Sequence, residues 1–233
     1  MNRTPPIITQ LLVVNLIFYI GSQFSYDLSR DVFSLYYFEN DKFLYSQVIT
    51  HMFMHGNLMH LAFNMFALWM FGTQIENLWG PKRFLNYYLI TGFGAAFLHY
   101  LIIHFQISGL ESYFTSNQIS EIVNNGAFNP SSPLFSKARM LYGLYHTPVV
   151  GASGAVFGLL LAYGMTYPNQ IIYLNLLFPI KAKYFVIIYG LLEFFMGVQN
   201  GAGDNVAHFA HIGGMLFGFL LIKYWKKNDM NFY

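Results

Sequence analysis

The sequence predicts an all-α polytopic membrane protein, one domain over residues 1–233 with six transmembrane helices. Three observations carry that expectation. Charged residues make up 9% of the chain, where a soluble domain carries about 25%. Hydrophobic residues make up 55% and aromatics 20%, so too little polar material remains to build a water-facing surface. Six apolar stretches occur at about 7–24, 49–73, 84–105, 150–167, 183–200 and 206–224, each near the roughly 20 residues a spanning helix needs. The composition also excludes other classes. Disorder requires few aromatics and much charge. A net charge of +2 is too small for a nucleic-acid partner. The absence of cysteine removes disulfides, thiolate metal sites and cysteine nucleophiles.

The first stretch reads as a retained helix rather than a signal peptide. Thr4-Pro5-Pro6 is a weak basic region, and no small-residue cleavage site precedes the polar loop near Asp27. Residues 25–48 are rich in Tyr and Phe (Tyr26, Phe33, Tyr36, Tyr37, Phe38, Phe43, Tyr45), which suits a segment lying among lipid headgroups. Residues 106–149 carry Asn124-Asn125-Gly126 and prolines at 130, 133 and 148, and read as loop with one short helix. Ile171–Ile180, flanked by Pro168 and containing Pro179, is apolar but too short to span. It is expected at the cytoplasmic surface. No internal repeat is visible, which argues against a symmetric transporter.

Basic residues set the orientation, because Lys- and Arg-rich loops stay in the cytoplasm. With a cytoplasmic N-terminus, the inner set is Arg3, Lys82, Arg83, Lys181, Lys183, Lys223, Lys226 and Lys227. The outer set is Arg30, Lys42, Lys137 and Arg139, spread over longer loops. Both termini are therefore expected inside; the membrane itself is taken, as a separate expectation, to be a bacterial plasma membrane.

Polar groups inside spans are costly and mark candidate sites. The second stretch holds His51, His55, His60 and Asn64. His60 and Asn64 are four apart and share a helix face; His51 and His55 form a similar pair further out. Hydrogen bonding between helices would also explain such residues. The fourth stretch opens with Gly151-Ala152-Ser153-Gly154, followed by Gly158. A serine at a helix start has free backbone N–H groups beside it, which suit a developing oxyanion, although small residues there also serve packing. The sixth reads from Asn205 through Ala207, His208, Ala210 and His211 to Gly213, Gly214 and Gly218. His211, Gly214 and Gly218 lie on one face, and a neutral imidazole there needs a partner that a serine hydroxyl would supply. A serine nucleophile needs a base and oxyanion donors, and these residues fill the roles. At 1.5 Å per residue, Ser153 is expected about 5 Å, and His211 roughly 8 Å, below their span entrances.

These motifs resemble the rhomboid family of intramembrane serine proteases, in its bacterial-type six-span core. The residues carrying the resemblance are His60-Leu61-Ala62-Phe63-Asn64, Gly151-Ala152-Ser153-Gly154, and Ala210-His211 with Gly214 and Gly218. Gly72, Glu76 and Gly80 after the second span also match. The resemblance implies a serine endopeptidase that cleaves single-span membrane proteins in or near their transmembrane helix. It implies a Ser–His dyad without an acidic third member: Ser153 the nucleophile, His211 the base. The oxyanion would be held by the Ser153 backbone N–H, His60 and Asn64. Phe157 would stack on the catalytic imidazole, and Gly151, Gly154, Gly214 and Gly218 would support the site. No cofactor or metal is implied; the partners are transmembrane substrates and the lipid bilayer. A dyad suits the location, since a buried carboxylate is expensive in hydrocarbon.

The chain departs from the family in its first outer loop, where Ser46-Gln47 stands in place of Trp-Arg. Two other readings compete. A histidine-ligated metalloprotein lacks a His-Glu-x-x-His or a dense histidine box. A proteolytically dead helix-binding relative fits poorly with the retained Ser153 and His211. Glu193, on the fifth span, has no role in this reading.

Overall fold

The structure, a computed structural model, describes residues 4–174, 178–199 and 208–228. The described fold is almost entirely helical. Helix α1 (Pro6–Phe24) is followed by the short α2 (Tyr26–Phe33) and α3 (Gln47–Thr50), a single 3₁₀ turn at His51–Phe53, and α4 (Leu58–Ala67). A π-helical turn at Leu68–Gly72 joins α4 to α5 (Thr73–Trp79). The long α6 (Pro81–Glu111) starts on Pro81, whose missing N–H costs nothing at a first helical position. The rest is α7 (Ser116–Asn125), α8 (Phe135–His146), α9 (Ser153–Thr166), β1 (Ile171–Leu174), β2 (Phe178–Lys181), α10 (Ala182–Val198) and α11 (His208–Asn228).

Helices α6, α9 and α11 pack most extensively on one another. Their shared core includes Phe84, Tyr87, Leu159 and Ile222, each at 0–1% exposure. Glu76 on α5 fixes α1 against this core: its two carboxylate oxygens accept the backbone N–H groups of Ile7 and Ile8, both at 2.9 Å. Those N–H groups belong to the first turn of α1 and have no carbonyl behind them. The Gly72/Glu76/Gly80 stretch is thus a helix-capping device.

Two described helices, Pro6–Phe24 and Pro81–Glu111, are long and apolar enough to cross a membrane. Helix α9 is apolar but has 14 residues, about 21 Å at the usual rise. The outward faces of α1, α4, α10 and α11 expose Ile17, Phe63, Phe195 and Leu220 among many other large apolar side chains. In water such a belt would drive aggregation.

Three expectations need correction. The second stretch does not enter as one helix at residue 49. The chain breaks at 54–57, and Asn57 caps α4 by accepting the His60 N–H at 2.8 Å, so His51 and His55 lie before that helix. The segment 106–149 is not mostly loop, since α6 runs on to Glu111 and two further helices follow. Helices α7 and α8 close a small second core around Tyr37, Ile103, Leu141 and Tyr145. In the apolar stretch beginning at Ile171, for which no secondary structure was expected, β1 pairs with β2 antiparallel, with Ile171 opposite Lys181 and Tyr173 opposite Pro179. Finally, α9 begins at Ser153 itself rather than near residue 150. The expected end of the fifth stretch at 200 and the start of the sixth at 206, with Asn205 and Ala207, lie outside the described residues, as does Arg3.

Gln47, in the Ser46-Gln47 pair that departs from the expected Trp-Arg, organises the loop between α2 and α3. It is fully buried, its amide donates to the carbonyls of Asp31 (2.9 Å) and Lys42 (2.8 Å), and its oxygen accepts from Tyr36 N–H (3.3 Å). Nearby, Lys42 Nζ donates to Asp31 at 2.7 Å and holds that carboxyl below its ordinary range. A one-residue bridge between Leu35 and Val149 ties this loop to the strand entering α9.

Candidate active site

The site is assembled where α4, α9, α10 and α11 meet. Gly151, two residues before α9, has a φ of +117°, a region that side chains disfavour. Its N–H donates to the His51 carbonyl at 2.8 Å, and an added Cβ would sit 2.8 Å from His60 Nε2. The sharp turn at Gly151 lets α9 start abruptly, so Ser153 is its first residue. The N–H groups of that first turn have no intrahelical acceptor. A cavity of about 20 Å³, lined by Gly151, Ser153 and Gly154 together with His51 and Ala210, lies beside the serine. That is room for one water.

His211 Nε2 lies 2.8 Å from Ser153 Oγ. Phe157, one turn along α9 from the serine, stacks on the His211 ring with centroids 4.2 Å apart and an interplanar angle of 5°. The serine and histidine helices are held together by glycines. A Cβ on Gly214 would collide with the Gly154 carbonyl oxygen, and one on Gly154 with Ala95. Gly218, a turn further down α11, faces Tyr87, whose hydroxyl donates to the Gly158 carbonyl at 2.7 Å.

The remaining expected residues are placed less simply. Asn64 is buried, and its side-chain amide donates to the His60 carbonyl of its own helix at 2.9 Å. The His60 ring lies beside Gly151 and 5.1 Å from the ring of His55. His51 Nδ1 donates to the Gln47 carbonyl at 2.9 Å. His51 therefore supports the scaffold, with its carbonyl fixing Gly151.

One group was not anticipated from the sequence. The Glu193 side chain, buried on α10, reaches His211 from the side away from the serine: Oε2 is 2.8 Å from His211 Nδ1 and 2.7 Å from His208 Nδ1. The expectation of a site without a neighbouring carboxylate does not hold. Among the described residues these three are also the group whose ligand atoms lie close enough to hold a metal ion. The available signal was a single carboxylate in an apolar helix, with two histidines one turn apart on the next.

The family model described as Rhomboid domain matches residues 42–227. The chain belongs to the rhomboid family. Rhomboids are integral membrane proteins, which accounts for the exposed apolar belt. This rhomboid is 31% identical over 172 residues to RHOMBOID-like protein 12, mitochondrial, of Arabidopsis thaliana, covering 72% of the present chain and 42% of that protein. It is 30% identical over 174 residues to Rhomboid protease AarA of Providencia stuartii, covering 73% and 52%. It is 30% identical over 175 residues to Rhomboid protease GluP of Bacillus subtilis, covering 74% and 24%. The chain thus spans about half, or less, of the length of these relatives.

Proposed function

We propose that this rhomboid is an intramembrane serine endopeptidase that cleaves single-span membrane proteins within or near their transmembrane helix. The observation that carries the reading is the 2.8 Å contact between His211 Nε2 and Ser153 Oγ at the first residue of α9. Relatives named as rhomboid proteases support it. In this reading the elements are grouped into six spans: α1, α4 with α5, α6, α9, α10 and α11. The distribution of Lys and Arg puts both termini inside. The bacterial plasma membrane of the sequence reading draws no support from the relatives, which come from mitochondria and bacteria alike.

In the first step Ser153 Oγ forms a bond to the scissile carbonyl carbon, and its proton passes to His211 Nε2. The carbonyl π pair moves onto oxygen. The oxyanion is met by the Ser153 N–H and by His60 and Asn64; the Asn64 amide has two hydrogens and spends one on the His60 carbonyl. His211 then gives its proton to the departing amine nitrogen as the C–N bond breaks, leaving an acyl-serine. A water attacks that ester, loses a proton to Nε2, and Ser153 is restored as the acid leaves. The short α9 suits this chemistry, because a helix starting part-way into the bilayer leaves space above it for water. The substrate must be locally unwound, since a helix conceals its carbonyls in hydrogen bonds.

The test is cleavage of a model single-span substrate in proteoliposomes by wild type and Ser153→Ala. Cleavage lost in a folded variant supports the reading, and cleavage retained overturns it.

A further inference from the structure

The Glu193 carboxylate is an expensive object to place on α10. That helix otherwise presents Leu191, Leu192, Phe194 and Phe195 outward, and an ionisable group at membrane depth persists only where it is paired and used. Its pairing is specific. His208 and His211 are three residues apart, one turn on the same face of α11, and both direct Nδ1 at the same oxygen, Oε2, at 2.7 and 2.8 Å. Four-coordinate zinc with ligand bonds of about 2.0–2.1 Å would hold its ligand atoms about 3.3 Å apart. The observed separations are those of charge-assisted hydrogen bonds, so the geometry favours two N–H donors over a cation.

We propose that Glu193 is the positioning residue for His211, making the site a Ser153–His211–Glu193 triad with His208 as a second donor to the carboxylate. This rests on the protease reading of Ser153 and His211. Phe157 fixes the plane of the imidazole by stacking, but stacking alone permits a flip that exchanges its edges. A carboxylate accepts and cannot donate. Glu193 therefore holds the ring proton on Nδ1 and keeps the Nε2 lone pair on the serine hydroxyl. When the Ser153 proton moves to Nε2, the imidazolium forms beside an anion. The Nδ1 proton stays on the ring and the carboxylate remains ionised. His208 holds the same oxygen, so that it cannot swing away from His211.

The experiment compares full-chain wild type, Glu193→Gln and Ser153→Ala in detergent micelles. It follows the rate of fluorophosphonate labelling, kcat and KM on a model substrate, thermal unfolding, and the protonated ring nitrogen of His211 by NMR of isotope-labelled histidine. The expected result is a Glu193→Gln protein that folds, with kcat and labelling rate lowered by roughly 10²–10⁴-fold and KM little changed. Its His211 is no longer held in the single Nδ1–H form. Wild-type labelling and kcat in folded Glu193→Gln would overturn the proposal, as would a requirement for added zinc. Should Glu193→Gln not fold, the tautomer of His211 in Ser153→Ala, with Glu193 intact, decides: Nδ1–H supports the proposal and Nε2–H overturns it. A wild type whose Ser153 never reacts overturns the protease reading instead, and the same tautomer measurement then decides Glu193 by itself.

Discussion

Gly214 on α11 lies against the Gly154 backbone carbonyl on α9, with no space for a Cβ between them. This approach brings the helix carrying His211 close enough to the helix carrying Ser153 for their side chains to bond. Overpacking a core costs about 1–3 kcal/mol where side chains can yield, and here the obstacle is backbone. Gly214→Val is expected to lower the unfolding temperature and abolish labelling of Ser153 together. A variant that labels at the wild-type rate would show that the glycine contact does not set the Ser153–His211 distance.

Asn64 offers a smaller and separable effect. Its amide keeps one bond to the His60 carbonyl, and the other hydrogen is assigned to the oxyanion. Asn64→Ala should lower kcat by about 10²-fold or less, with KM nearly constant. Unchanged turnover in steady-state assays on a single-span substrate would remove Asn64 from the oxyanion site.

Glu76 tests the scaffold without touching the chemistry. Its two bonds to the start of α1 are partly or fully buried, one from each carboxyl oxygen. Glu76→Ala should cost about 2–3 kcal/mol, read as a lower unfolding temperature in detergent, while the folded fraction still labels at Ser153. An unaltered melting curve would mean that α1 is held by packing alone.

Gln47 tests the loop between α2 and α3. Gln47→Ala breaks its bonds to Asp31, Lys42 and Tyr36. Limited proteolysis should then cut between residues 34 and 46 faster than in wild type. Equal cutting rates would show that the Lys42–Asp31 pair and the Leu35–Val149 bridge suffice.

Much of the site was legible from spacing. His60 with Asn64, and His211 with Gly214 and Gly218, are motifs within single helices, and helical periodicity alone puts their members on one face. What spacing could not convey was the relation between α10 and α11. Nothing local to Glu193 says that His208 and His211 face it, because that depends on tertiary packing. The entrance to α4 was misplaced because Met52-Phe53-Met54 is as apolar as a span, and the stop lies in Gly56-Asn57, with Asn57 an N-cap. One short helix was expected in 106–149 without a position, although Thr115 and Gln118 form a capping box visible in the sequence that marks the start of α7. The pairing of β1 with β2 was hidden by their apolar composition, though Ile171-Ile172-Tyr173 favours strand over helix.

The central claim is that Ser153 is a nucleophile activated by His211. It is tested most directly by reacting the folded wild-type protein, Ser153→Ala and His211→Ala with a fluorophosphonate probe in detergent and locating the adduct by mass spectrometry. A single adduct on Ser153 is expected in wild type, none in Ser153→Ala, and a severely slowed reaction in His211→Ala. An adduct that persists in Ser153→Ala, or a folded wild type that never reacts, would contradict it.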